Sequence, residues 1–191
     1  MKIKHVLLAA VLMGSLSATA KDYHYTTIPG DAMKTRIYTL DNGLTVYMSV
    51  NKEKPRLQAN IAVKTGSRND PAETTGLAHY LEHLMFKGTQ KFGTTDPAKE
   101  KPYLDEITRR YESYRKLTDP AQRKQAYHEI DSVSQLAAKY NIPNEYDKLM
   151  ASIGSQGTNA YTSNDVTCYV ENIPNNEIEN WAKVQSDRFQ N

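Results

Sequence analysis

The stretch "KTGSRNDPAETTGLAHYLEHLMFKGT", residues 64–89, decides how this chain is read. Its second half repeats apolar residues at Leu77, Tyr80, Leu81, Leu84 and Met85, a helical spacing that ends near Lys87-Gly88. On such a helix His79 and His83 are four residues apart and project side by side. Two neutral imidazoles at that spacing suit one zinc ion. Glu82 lies on the flank of the same face, within reach of a water held by the metal. Zinc brings such a water's pKa toward ~7, and a neighbouring carboxylate can take its proton and pass it to a leaving amine. H-x-x-E-H inverts the order H-E-x-x-H and supplies the same three groups.

Outward from this helix the pattern is mixed. "TRIYTLDNGLTVYMSV" predicts a β-hairpin turning at Asp41-Asn42-Gly43, after a loose polar lead-in over 21–34. "RLQANIAV" alternates as a further strand. Leu104, Ile107, Tyr111 and Tyr114 form one helical stripe, and Tyr127, Ile130, Val133, Ala137 and Tyr140 another. Together they predict a helical hairpin over about 99–140, with charged outer faces in solvent. A short helix follows at 145–153, then a strand around 160–171. Asn175 is expected to cap a last helix that turns Ile178, Trp181, Ala182 and Phe189 to a core. Cys168, the one cysteine, reads as a buried thiol in a strand.

The first twenty residues stand apart. Lys2 and Lys4 precede an apolar run from Val6 to Leu16 and then Ala18-Thr19-Ala20, the layout of a cleaved secretory signal. The run is short for a bilayer span, so no stable membrane span is expected after cleavage. Loss of the two lysines takes the basic count from 24 to 22, equal to the 22 acidic residues. That balance speaks against a nucleic-acid partner.

The chain resembles the insulinase/pitrilysin family of zinc metallopeptidases. The resemblance is carried by "LDNGLTVYM" (40–48), by residues 64–89, and by "GTNAYTSNDVTCYV" (157–170), and it continues through "WAKVQSDRFQN". It implies an α+β fold, a mostly antiparallel sheet with helices packed on one face as in the mitochondrial processing peptidases. The helical hairpin would be an insertion. It implies Zn2+ as cofactor, held by His79 and His83, with Glu82 as the catalytic general base. It also implies that a peptide or small-protein substrate adds as a strand along "TNAYT", contacting Asn159 and Ala160. The family's third zinc ligand is a glutamate on a later helix, and its position would fall beyond Asn191. Glu171, Glu177 and Glu179 are not expected to replace it.

The 191 residues are therefore expected to be a signal peptide (1–20) and the N-terminal part of a catalytic domain (21–191), an incomplete domain of a longer exported endopeptidase. It would work with a second peptidase half or partner subunit, in the periplasm, and would bind zinc weakly alone. The alternative is a non-catalytic family member acting as a binding or partner subunit.

Overall fold

A computed structural model describes residues 22–190. The signal-peptide expectation lies outside the described residues. The chain divides into two compact units, Met1–Lys54 and Pro55–Asn191.

In the first unit three short strands pair antiparallel in chain order: β1 (Tyr25–Thr27), β2 (Arg36–Thr39) and β3 (Thr45–Met48). The expected hairpin is β2–β3. Gly43 closes its turn at φ 88°, donating its amide to the Leu40 carbonyl at 2.9 Å. The lead-in is more ordered than its polar composition predicted. β1 lies beside β2 with Tyr25 opposite Tyr38, and the Arg36 guanidinium sits 5.1 Å from the Tyr25 ring centroid. Asp31 ties the connection by accepting from the amides of Met33 and Thr35. These bonds, those from Thr35 foremost, hold its carboxyl below the usual range.

In the second unit β4 (Arg56–Val63) pairs with β6 (Thr167–Pro174), and β6 with β5 (Gln156–Thr162), all antiparallel. The single strand expected around 160–171 is thus a hairpin. Ser163-Asn164-Asp165 is a turn, and the alternation restarts at Thr167. β6 is central and largely buried, and carries Cys168 in the core. Helix α1 (Leu77–Leu84) packs against β5 and β6. Helices α2 (Pro97–Tyr114) and α3 (Pro120–Ala137) form the expected hairpin. Each begins with proline behind an aspartate cap: Asp96 accepts from the Lys99 amide and Asp119 from the Gln122 amide. The two ends of the hairpin meet, where Thr95 donates to the Tyr140 carbonyl and Ile142 to that of Gly93. Next come α4 (Glu145–Ser152) and α5 (Ile178–Gln190). Asn175 does not cap α5 as expected; the chain enters that helix through a 3-10 turn over Asn175–Glu177.

The core of this unit is Phe92, Tyr146, Met150 and Ile173, with Leu57, Phe86 and Trp181 packed on it. α5 offers it Trp181 as expected, but otherwise neither α1 nor α5 turns inward the face that periodicity predicted. Leu77, Tyr80, Leu81 and Leu84 are exposed, while Ala78 and Glu82 are buried. On α5, Ile178, Ala182 and Phe189 are exposed, and Gln185, Asp187 and Arg188 are buried. The reason is a polar cluster beneath them. Glu171 on β6 accepts hydrogen bonds from Tyr146, Trp181 and Gln185, and the Arg188 guanidinium lies 3.7 Å away. Most of their polar atoms pair with one another, which makes burial tolerable, and Arg188 Nη2 is the buried atom left without a hydrogen bond among the described residues.

Candidate metal and substrate site

Three anchors fix α1. At its N-terminal end, Asp70 accepts from the amides of Gly76 at 2.7 Å and Ala78 at 2.9 Å, a cap supplied from the preceding loop. That loop is itself seated on the β5–β6 turn. Ser67 donates to the Ser163 carbonyl and Arg68 to that of Asn164, both at 2.9 Å. A Cβ on Gly66 would lie 2.2 Å from the Ser163 carbonyl oxygen, so only glycine allows this approach. At the C-terminal end, Arg188 Nε donates to the Met85 carbonyl at 2.9 Å, and its guanidinium stands 5.1 Å from the Phe86 ring centroid. Burial pulls the Arg188 guanidinium below its ordinary range and pushes the Tyr146 phenol above its own. In the middle, Glu82 Oε2 accepts from the Thr162 hydroxyl at 2.5 Å.

On the solvent side His79 and His83 meet. Their Nε2 atoms are 3.2 Å apart and both residues are exposed. Two ligands of one tetrahedral zinc, each bonded at about 2.05 Å, lie about 3.3 Å apart. Two nitrogen lone pairs at this separation need a proton or a cation between them. The donor set therefore fits two of the positions around zinc. Among the described residues no group of three His, Cys, Asp or Glu side chains could hold a metal ion. Glu171, committed to its own cluster, is not a third ligand here.

Asn159 and Ala160 lie on β5, opposite Val170 and Tyr169 of β6. β5 is the outer strand of its sheet, so its other edge has no strand beside it among the described residues. Asn159 is exposed. Gly157, at φ 67°, marks an irregularity where the register shifts between Gln156 and Asn159.

Sequence reasoning missed Asp70, Thr162 and Arg188. The Ser163-Asn164-Asp165 turn, recognised as such, would have set Thr162 opposite Thr167 at the mouth of a hairpin. Arg188 gave no signal, because an arginine near a helix end reads as a solvated charge.

The described fold is α+β, with antiparallel sheets and helices. Over 87% of the chain it superposes on the crystal structure of pitrilysin with a TM-score of 0.52, at 17% sequence identity, covering 13% of that chain. Residues 45–100 match insulinase, peptidase family M16. Over 92 residues, 48% of this chain and 9% of the relative, the sequence is 35% identical to the insulin-degrading enzyme homolog of Dictyostelium discoideum. Over 62 residues, 32% of this chain and 13% of the relative, it is 44% identical to the mitochondrial-processing peptidase subunit beta of Neurospora crassa. Over residues 45–100 the chain is thus similar to the insulinase/pitrilysin family. It spans about a tenth of the length of these curated relatives. No helix among the described residues is long and apolar enough to cross a membrane.

Proposed function

We propose that this chain carries part of the active site of an exported zinc-dependent endopeptidase. His79 and His83 hold the metal and Glu82 is the general base. Asn159 and Ala160, on the open edge of β5, receive the peptide or small-protein substrate as an added strand. The observation that carries this reading is the 3.2 Å approach of the two Nε2 atoms, with Glu82 one residue from His83 on the same helix.

Zinc, when bound there, supplies Lewis acidity that activates water and stabilises negative charge on the scissile carbonyl oxygen. The chain's own residues do the rest. Glu82 takes the proton of the attacking water and delivers it to the leaving nitrogen. Backbone amides and carbonyls of β5 hold the substrate extended, giving affinity that depends little on side chains. The remaining ligand is a glutamate on a later helix, and a further peptidase half or a partner subunit supplies the wall facing β5. The signal sequence sends the protein across the inner membrane to the periplasm.

The test is Glu82→Gln against His83→Ala in the zinc-loaded protein at its native length. Glu82→Gln should keep the metal and lose peptide hydrolysis; His83→Ala should lose both. Hydrolysis at the wild-type rate in Glu82→Gln would contradict the assignment of the base. A wild-type protein that binds zinc and a partner but never cleaves peptide would favour a binding subunit.

A further inference from the structure

Glu82 is buried, so its carboxylate must be held by something. The one protein donor meeting it among the described residues is the Thr162 hydroxyl, at Oε2. Three hydroxyl contacts run in a row: Thr162 to Glu82 at 2.5 Å, Thr162 to Thr167 at 3.3 Å, and Thr167 to the Thr65 carbonyl at 2.9 Å. Each threonine has one hydroxyl proton. The Thr65 carbonyl can only accept, so Thr167 spends its proton there and offers Thr162 nothing but lone pairs. The Thr162 proton then has two acceptors. The carboxylate oxygen is nearer and charged, and it wins over the Thr167 hydroxyl.

The placement of this hydroxyl is built into the fold. Thr162 and Thr167 face each other as the closing pair of the β5–β6 hairpin. Both are β-branched and stiff at χ1. The turn between them is clamped to the loop at Ser67 and Arg68.

We propose that Thr162 is the positioning residue for Glu82: its hydroxyl donates to Oε2, fixes it, and leaves Oε1 as the oxygen that takes and returns the proton. This rests on Glu82 being the base. A carboxylate so held cannot swing off the reacting water, so the bond acts on turnover rather than on metal or substrate binding.

The experiment compares Thr162→Val, Thr162→Ser and Glu82→Gln in the zinc-loaded protein at its native length. For Thr162→Val, kcat should fall about 10- to 100-fold, the range of a hydrogen bond to a charged group. KM and zinc content should be unchanged. Thr162→Ser, which keeps the hydroxyl, should recover most of the loss. Independently of activity, the Glu82 carboxyl resonance in 13C-labelled protein should move in Thr162→Val and stay in place in Thr162→Ser. Unchanged kcat in Thr162→Val with an inactive Glu82→Gln would overturn this proposal and leave the base in place. Equal loss of zinc and kcat, without rescue by serine, would also overturn it, since Thr162 would then be structural. An active Glu82→Gln would remove the base and this proposal together.

Discussion

Helices α2 and α3 meet along a seam and turn most of their charges to water. Helices α1 and α5 leave most of their long apolar side chains outside, Trp181 apart, and bury charge. In the hairpin, Ile130 and Ala137 are buried, Tyr103 stacks on Tyr140, and the ion pairs Lys101–Asp105 and Arg115–Glu112 lie in solvent. In the other pair, Glu82, Gln185, Asp187 and Arg188 are buried and Leu77, Leu81 and Phe189 are exposed. The hairpin is held by short-range capping, by apolar contact at Ile130 and Ala137, and by Arg110–Glu129 and Arg123–Tyr114 across its seam. The α1–α5 region is held by polar groups that must find one another across the chain. The first kind of region tolerates substitution; the second positions chemistry and fails when one member is lost.

The sharpest way to break this contrast is Arg188→Met. It removes the cation beside Glu171 and the bond to the Met85 carbonyl. Urea denaturation should show a loss of about 3 kcal/mol, the scale for breaking a buried pair. Asp70→Ala follows. It frees the amides of Gly76 and Ala78 at the start of α1 and should cost about 1 kcal/mol, read in the same way. On the hairpin, Leu104→Gln alters a side chain already 46% exposed and should change stability by less than about 0.5 kcal/mol. A loss there as large as that of Arg188→Met would erase the distinction.

The contrast also governs what could be read in advance. The α2–α3 hairpin was legible because proline, aspartate caps and periodicity all act within a few residues. Even there Leu104, Tyr111 and Tyr127 are exposed where the stripe placed them inside, since the seam instead includes Arg123 over Tyr114 at 4.0 Å. The β2–β3 hairpin was legible from Asp41-Asn42-Gly43 alone. The histidine pair was legible because i and i+4 on a helix are neighbours whatever surrounds them. The anchors were not. Asp70, Thr162 and Arg188 reach α1 from a loop, a strand end and a helix far along the chain. Local patterns carry no record of such meetings.

The smallest expected effect separates the two regions by pH. Glu106 on α2 is held at about 2, below its ordinary 4.5, chiefly by a hydrogen bond from Arg109 and further by Arg110. A depressed carboxyl lends stability that is complete above pH 4.5 and is lost as pH falls toward 2. The group is half-buried at the surface and screened by water, so the contribution is slight. Helix content followed by circular dichroism should decline over that window a little less in Glu106→Gln than in the wild type.

The proposed metal-binding pair stands on α1, a helix fixed from beneath. Zinc titration of the purified protein, wild type beside His79→Ala, His83→Ala and Glu82→Gln, tests it most directly. The account predicts that either histidine variant abolishes binding and that Glu82→Gln binds like the wild type. Zinc bound with undiminished affinity in either histidine variant would contradict it.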